Sequence, residues 1–294
     1  MPGKTRTPPQ KGPQGGDAEY ILGTGDHESD RLGLQHRLWA ASAHQLWERA
    51  GLQPGMTVLD VGCGPGHATM DLAEIVGGAR GDGGGGRVVA IDESPLYLKH
   101  LHNKAQARSL SNIERILGDA QELATLIPQH AATFDLAYAR WLLCFVSDPA
   151  AVVAGVATML KPGGAFAIQD YFNYEAMTLA PRSEPFARAV RAIGKSWRDR
   201  GGDPDIVARL PAMLRAHGLE VADLRINQRV ATPHSTIWAW PDAFWKSYIP
   251  RLVVMGYLTE HDQHAFEAAW SEASSDPDAF MMLPPVYDLL AIKP

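Results

Sequence analysis

Residues 58–67, Val-Leu-Asp-Val-Gly-Cys-Gly-Pro-Gly-His, decide the fold of this chain. The apolar start predicts a buried strand, and the three alternating glycines predict a sharp turn directly after it. Glycine reaches positive φ without strain and lets the backbone approach a ligand closely. A helical pattern begins near Ala68, so we expect amide donors at the start of this helix to face a ligand.

Strand and helix patterns alternate on both sides of this turn. The predicted strands cover residues 57–61, 87–91, 113–117, 134–138 and 165–170. The predicted helices cover residues 29–51, 68–76, 95–108 and 150–160. Such alternation indicates right-handed crossovers and a parallel sheet. Beyond residue 171 the pattern predicts helices over 181–200, 205–217 and 236–273, a strand over 219–230, and a short final strand over 280–283.

Composition limits the class of protein. The 294 residues are 46% hydrophobic and carry a net charge of −6, which favours a globular core and gives no reason to expect nucleic acid as a partner. Cys63 and Cys144 lie in apolar segments, and no apolar run approaches the length of a membrane span. We therefore expect a cytoplasmic protein with no membrane partner and with a disordered tail over residues 1–17. The sequence leaves the oligomeric state open.

Acidic residues follow the second and third predicted strands. A dinucleotide fingerprint needs glycine where this chain has His67, which argues against a nicotinamide dehydrogenase. Asp92 is placed to accept hydrogen bonds from ribose hydroxyls, or is an exposed acid at a strand end. Asp119 is placed to accept from an exocyclic amine such as adenine N6, or is a helix N-cap.

Five motifs together resemble the class I S-adenosylmethionine-dependent methyltransferases, and the match covers roughly residues 55–171. These motifs are residues 58–67, Asp92, residues 118–120, residues 134–136 and residues 160–164. The resemblance implies an α/β fold: a Rossmann-like, seven-stranded, mostly parallel sheet with a reversed last strand. S-adenosylmethionine is the implied cofactor. We predict a cofactor-binding domain over 18–171, 219–235 and 276–294, and a helical cap over 172–218 and 236–275.

The resemblance also implies which residues hold the cofactor. Asp60, Gly62, Gly64 and Gly66 would surround the methionine moiety. The ribose would lie at Asp92, beside Glu93, and the adenine at Asp119 and Ala120. A leader segment seen in many small-molecule members adds Tyr20, Arg31 and Gln35, although an ordinary amphipathic helix face explains Arg31 and Gln35 equally well.

Catalytic candidates are expected after the later strands and in the cap. Arg140 would touch the cofactor or clamp a substrate carboxylate, unless it forms a structural ion pair. The phenol of Tyr171 would orient a substrate, and His234 is a candidate base. The aromatic run over 238–248 predicts either a substrate pocket or the core of the cap. The two histidines in residues 260–264 indicate a solvated helix face, so no metal site is predicted.

The sequence favours methyl transfer to a small molecule at an oxygen, nitrogen or carbon atom. A second hypothesis keeps S-adenosylmethionine but has it consumed in another reaction, such as cyclisation of its own aminobutyrate chain. A third is a protein that binds the cofactor without catalysis. An Asn/Asp-Pro-Pro-Tyr motif, typical of enzymes that methylate DNA amino groups, is missing after the fourth strand, which disfavours a nucleic-acid substrate.

Overall fold

The computed structural model describes residues 26–77 and 85–294. The helices in these ranges are α1 (Asp26–Arg49), α2 (His67–Gly77), α3 (Pro95–Ala107), α4 (Leu123–Leu126), α5 (Pro149–Met159), α6 (Glu184–Arg198), α7 (Leu210–Ala216), α8 (Ala239–Val254) and α9 (Glu260–Ser275). The strands are β1 (Thr57–Val61), β2 (Arg87–Asp92), β3 (Ile113–Leu117), β4 (Phe134–Arg140), β5 (Leu160–Tyr171), β6 (Thr178–Ala180), β7 (Glu220–Asn227), β8 (Val230–Ala231), β9 (Phe280–Met282) and β10 (Val286–Ile292). The predicted tail over 1–17 lies outside the described residues.

Seven strands form one sheet in the order β3-β2-β1-β4-β5-β10-β7. The pairs among β1 to β5 are parallel, and β10 runs antiparallel to both of its neighbours. The strand order reverses at β1, whose two neighbours β2 and β4 leave a crevice at their carboxyl ends. The prediction of a mostly parallel, seven-stranded sheet with a reversed last strand is confirmed.

One strand prediction was wrong. Residues 280–283 were expected to be the last strand, but β10 follows them and is the reversed strand of the main sheet. Pro284 and Pro285 suggested an end to regular structure because proline cannot donate a ladder hydrogen bond. Here the two prolines separate β9 from β10, which is buried along most of its length.

A small antiparallel sheet, in the order β6-β9-β8, lies beside the main one. Helix α6 contacts α8 and α9, while α7 contacts β7 and α5, so α7 belongs to the layer that covers the main sheet. The division into a cofactor domain and a cap stays a prediction. Within residues 26–77 and 85–294, none of the helices is long and apolar enough to cross a bilayer.

A buried polar network fixes α1 to the sheet. Arg49 at the end of α1 donates from Nη2 to Asp288 of β10 at 2.6 Å and from Nε to Asp223 of β7 at 3.0 Å. Gln169 of β5 donates to the other carboxylate oxygen of Asp288 and to Ser42 of α1. Because the carboxylate of Asp288 is almost fully buried, these hydrogen bonds offset the desolvation cost of burying its charge. The network therefore sets the position of α1 over the carboxyl ends of the strands.

Candidate functional site

The three glycines after β1 have different structural roles. Gly62, Gly64 and Gly66 all have positive φ, of 69°, 54° and 82°. A Cβ added to Gly66 would lie 2.3 Å from Cδ1 of Leu101 in α3, whereas one added to Gly64 would meet nothing within 4 Å. Gly62 and Gly64 line a cavity at the carboxyl ends of the strands, and Gly66 is not among the residues that line it. The structure thus places Gly66 in helix packing, and the predicted cofactor contact at Gly66 is not supported by its position.

Asp92 at the end of β2 is held by the glycine turn. Its Oδ2 accepts from the backbone N of Gly64 at 2.8 Å, and its Oδ1 accepts from the backbone N of Ser94 at 2.9 Å. Burial raises the pKa of Asp92 to about 6 despite these two bonds. Glu93 beside it also lines the cavity, and burial together with the charge of Asp119 raises its pKa. Each oxygen of Asp92 keeps a free lone pair, so this carboxylate can accept two further donors.

Asp60 and Asp119 complete the acidic end of the cavity. Thr69 of α2 donates to Asp60 Oδ2 at 2.6 Å, and burial raises the pKa of Asp60 to about 6. Asp119 caps the 3-10 turn over 120–122: its Oδ1 accepts from the backbone N of Gln121 at 2.8 Å. The N-cap interpretation of Asp119 therefore describes its geometry, and Asp119 and Ala120 both line the cavity as well.

All of these acids line one cavity of about 1040 Å³ at the carboxyl ends of the strands. The opposite side is walled by six aromatic side chains from strand ends, α6 and α8, here called the aromatic wall: Trp141, Tyr171, Trp197, Trp240, Phe244 and Trp245. Within the described lining, the carboxylates all come from the ends of the first three strands or the residues just after them. The cavity therefore has an acidic end and an aromatic end.

Helix α1 forms one side of the cavity. Arg31 forms a two-bond ion pair with Glu28, at 2.8 and 2.6 Å, and both side chains are buried. Arg31 also donates to Gln35 Oε1 at 3.1 Å, and Trp240 of α8 donates to the same oxygen at 2.8 Å. Arg31 and Gln35 line the cavity, so these predicted residues lie where the cofactor is expected. Tyr20, predicted with them, lies outside the described residues.

Arg140 lies where β4 ends, next to the aromatic wall. Its guanidinium lies over the ring of Trp141, 5.1 Å from the ring centroid. Nη2 donates to His36 Nδ1 of α1 at 3.1 Å. Nη1 is buried and has no hydrogen-bond partner within residues 26–77 and 85–294. No carboxylate in those residues forms a salt bridge with it, so the alternative interpretation as a structural ion pair does not describe Arg140.

The other catalytic candidates have different positions. Tyr171 is buried in the aromatic wall and stacks on Trp141 with ring centroids 5.9 Å apart. Burial raises the pKa of the Tyr171 phenol, which therefore stays protonated and can act as a hydrogen-bond donor. His234 lies on an exposed turn after β8 and is not among the residues that line the cavity. Its position gives no support to the prediction that it is the base.

The aromatic run over 238–248 divides between two roles. Trp240, Phe244 and Trp245 line the cavity, whereas the hydroxyl of Tyr248 accepts from Trp197 Nε1 at 3.1 Å in the core. Trp238 stacks on Trp270 of α9, 4.4 Å between centroids. His261 and His264 are exposed, and no metal-binding group of three or more His, Cys, Asp or Glu exists in the part of the chain that the structure describes.

The sequence analysis did not predict a cluster of titratable side chains next to Arg140, formed by His36, His44, His67 and Asp71. His36 Nε2 lies 3.0 Å from Asp71 Oδ2, and His44 Nε2 lies 2.9 Å from the same oxygen. His67 stacks on His36 with centroids 5.8 Å apart. A signal was present: His36 and His44 are two turns apart on α1, and His67 and Asp71 are one turn apart on α2, so each pair shares a helix face.

The site residues fit S-adenosylmethionine by their chemistry. Asp92 has spare acceptor capacity for ribose hydroxyls, and the open space at Gly64 allows close approach of a ligand to the backbone. Asp60 and Arg140 offer a carboxylate and an unpartnered guanidinium nitrogen at adjacent strand ends. This pair is complementary to an α-amino acid group, which carries both an ammonium and a carboxylate.

Comparisons with known proteins agree with this chemistry. A family described as a methyltransferase domain matches residues 52–200, just over half of the chain. Over 174 residues the chain is 33% identical to a trans-aconitate 2-methyltransferase of Methylobacterium radiotolerans, covering 58% of this chain and 57% of that protein. A ubiquinone biosynthesis O-methyltransferase of Acinetobacter baumannii is 36% identical over 131 residues, covering 44% of this chain and 49% of that protein. The chain thus spans less than three fifths of the length of either relative.

A solved structure shows the same fold. A protein of Bacillus halodurans C-125 described as a methyltransferase superposes with a TM-score of 0.58 at 19% identity, covering 85% of this chain and 98% of that one. The likeness extends the match beyond residues 52–200 to most of the chain, at the level of the fold. Together with the family match, it leads to one conclusion: the chain belongs to the class I S-adenosylmethionine-dependent methyltransferases.

Proposed function

We propose that this protein transfers the methyl group of S-adenosylmethionine to a small molecule that has an apolar or aromatic body and an acidic group. The observation that best supports this proposal is that one cavity contains both the acidic end, which suits the cofactor, and the aromatic wall. The volume of about 1040 Å³ is at the upper end of the range for ligand pockets. It therefore suits two ligands held side by side.

When bound, S-adenosylmethionine supplies a methyl group on a sulfonium that needs no activation by the protein. The residues of the chain would bind and align the two ligands and exclude water. Asp92 would accept from the ribose hydroxyls, while Asp60 and Arg140 would hold the amino acid end. Trp141 and Tyr171 would form the boundary between the cofactor and the acceptor, because Trp141 directly follows β4 and Tyr171 is the last residue of β5.

Charge at the aromatic end supports an acidic acceptor. Arg200 and Arg251 line this end together with Val254, and the exposure of Arg200 and Val254 shows that this part of the lining faces solvent. No carboxylate or imidazole is present at this end among the lining residues that the structure describes. An anionic group would therefore meet cations without repulsion, and aromatic rings would cover an apolar body.

The same lining bears on the acceptor atom. His67 is the imidazole in the described lining, and burial together with Lys104 lowers its pKa to about 3. Lys104 donates to its Nε2, so this ring is already occupied as an acceptor. With Tyr171 held as a phenol and the carboxylates at the acidic end, the described lining offers no base at the aromatic end. An acceptor that is already nucleophilic at neutral pH, such as a carboxylate, suits this site best.

The name of one relative agrees with an acidic acceptor, and the name of another agrees with methylation at oxygen. One is a methyltransferase for trans-aconitate, a carboxylic acid, and the other is an O-methyltransferase. The aromatic wall favours an acceptor with more apolar surface than a small polyanion such as aconitate.

The test is incubation of the protein with S-adenosylmethionine and matched pairs of acceptors, for example cinnamate and cinnamamide, with trans-aconitate as a third. We expect methyl transfer to the acid and not to the amide, with equimolar S-adenosylhomocysteine by mass spectrometry. Formation of methylthioadenosine without an acceptor would favour the cyclisation alternative. Cofactor binding without turnover on any acceptor would favour a non-catalytic protein, and transfer to the amide alone would contradict the acidic acceptor.

A further inference from the structure

A chain of hydrogen bonds runs from the cavity into the interface between α1 and α2. Arg140 donates from Nη2 to His36 Nδ1 at 3.1 Å, and His36 Nε2 lies 3.0 Å from Asp71 Oδ2. His36 is buried, and the side chain of Asp71 is only 21% exposed. The three side chains come from β4, α1 and α2, so the contact joins elements that are far apart in sequence.

The partners of His36 decide its protonation state. An arginine can only donate, so Nδ1 of His36 must carry a lone pair toward Arg140. The proton of the neutral ring is then on Nε2 and is donated to Asp71. Burial and the charge of Arg140 lower the pKa of His36, while the bond to Asp71 opposes this shift. At neutral pH the ring is therefore an uncharged bridge between a cation and an anion.

We propose that His36, oriented by Asp71, is a positioning residue that holds the guanidinium of Arg140 in place for the carboxylate of S-adenosylmethionine. The inference rests on the proposed function, since it takes that cofactor as the ligand. Arg140 touches the ligand, and His36 acts through Arg140.

Sheet register supports the choice of this carboxylate. Val61 of β1 pairs with Ala139 of β4, so Arg140 lies level with Gly62 in the glycine turn. The charge of Arg140 acts directly on Asp60, whose pKa it lowers against the larger effect of burial. A carboxylate and a guanidinium at adjacent strand ends match the ammonium and the carboxylate of one amino acid group. With Nη2 bound to His36, the buried and unpartnered Nη1 is the donor left for that carboxylate.

Protonation of His36 would undo this arrangement. A ring with protons on both nitrogens cannot accept from Arg140, and its positive charge repels the guanidinium. The charged and titratable groups that face His36 are His44 on α1, His67 and Asp71 on α2, and Arg140 on β4. Lys104 on α3 contacts His67, and Asp60 on β1 interacts with Arg140. Because burial and the charge of Arg140 lower the pKa of His36, the bridge is complete at neutral pH and is lost only as the pH falls through this lowered pKa.

The experiment compares two probes by isothermal titration calorimetry. S-adenosylhomocysteine carries the amino acid group, whereas methylthioadenosine has the same nucleoside without it. The ratio of the two affinities isolates the amino acid end from Asp92, which serves both probes. We expect His36→Ala to lower this ratio by roughly tenfold at pH 7.5, as for a misplaced charge-assisted hydrogen bond. His36→Asn should retain most of it, because the Asn oxygen can replace Nδ1 as the acceptor.

The pH profile separates positioning from a merely structural role. In the wild type the affinity ratio should fall as the pH is lowered, first as Asp60, whose pKa is about 6, takes up a proton, and further at lower pH as His36 is protonated. His36→Asn should remove the second component and give a shallower fall. His44→Asn is the matched control, because His44 bonds the same oxygen of Asp71 but is half-exposed and has no hydrogen bond to Arg140 in the described structure. It should keep the profile of the wild type.

Each outcome is decisive. Methylthioadenosine binding by a variant shows that its nucleoside site is folded. An unchanged ratio in either His36→Ala or Arg140→Ala would overturn the inference, and so would a loss in His36→Asn as large as in His36→Ala. If the wild type bound neither probe, the proposed function itself would fail.

Discussion

Replacing Gly66 with alanine is expected to destabilise the fold, whereas the same change at Gly64 is expected to weaken cofactor binding. Both glycines have positive φ, so alanine costs about 1–2 kcal/mol of backbone strain at either position. At Gly66 the new methyl group would also lie 2.3 Å from Cδ1 and 2.8 Å from Cβ of Leu101, which is fully buried. Overpacking of this kind adds roughly 1–3 kcal/mol. At Gly64 the methyl group meets no protein atom within 4 Å.

Urea denaturation followed by tryptophan fluorescence measures the first effect. We expect Gly66→Ala to lower the free energy of unfolding by about 2–5 kcal/mol and Gly64→Ala by about 1–2 kcal/mol. Calorimetric titration with S-adenosylhomocysteine measures the second effect. Gly64→Ala should weaken binding by on the order of tenfold or more, because its methyl group occupies the space where the ligand approaches the backbone, while folded Gly66→Ala should bind almost normally. Equal destabilisation by the two variants would refute the reasoning about Leu101, and normal binding by Gly64→Ala would refute the close approach.

Three further predictions concern the site and its support. Asp92→Ala should weaken S-adenosylhomocysteine binding by about tenfold or more. Binding by the wild type should also weaken as the pH falls through 6, because Asp92 has a pKa of about 6 and accepts hydrogen bonds most strongly when it is ionised. A calorimetric affinity that does not change with pH would contradict this role of Asp92. Gln35→Ala removes the acceptor that Arg31 and Trp240 share and should lower the free energy of unfolding, measured by urea denaturation, by about 1–3 kcal/mol. An unchanged denaturation midpoint would show that this contact does not stabilise the fold. Arg49→Ala should lower the free energy of unfolding by about 3–5 kcal/mol, because it removes the cation from buried Asp288. Arg108→Ala breaks an ion pair that is half-exposed on both sides and should lower it by less than about 1 kcal/mol. Similar losses in the two variants would contradict the role of burial.

The first five strands and the glycine turn could be predicted because their signals are local. A strand buried on both faces, such as β1, must be apolar along its length, and the turn after it needs glycine where φ is positive. The strand β10 shows the opposite case. Its residues, Val286–Ile292, have a strand-like composition, but whether such a segment pairs with β5 depends on contacts distant in the sequence. No local pattern states the neighbour of a strand.

The aromatic wall shows why the acceptor end was harder to predict than the cofactor end. Every aromatic residue of the run over 238–248 is a reasonable core residue, and helix α8 packs on α1, α6 and α9 at once. Which of its rings line the cavity depends on the rotation of α8 about its own axis, and that rotation is set by partners such as Gln35 and Trp270. His234 was chosen for its nearness in sequence to these rings, but its turn leaves it exposed.

Arg140 combines both kinds of information. Its position follows from the order of strands: a residue that ends β4 must lie beside the turn after β1, because the two strands are neighbours at the point where the order reverses. The motifs therefore suffice to place a cation near Asp60. The orientation of that cation depends on His36, which lies more than a hundred residues earlier on a helix that precedes the sheet. Histidines on one face of a helix do not indicate, from the sequence alone, which residues they contact. His36 and Asp71 become partners only because α1 packs across α2. The charge at the amino acid end of the site can thus be predicted from sequence, whereas the hydrogen bond that aims it depends on the packing of two helices.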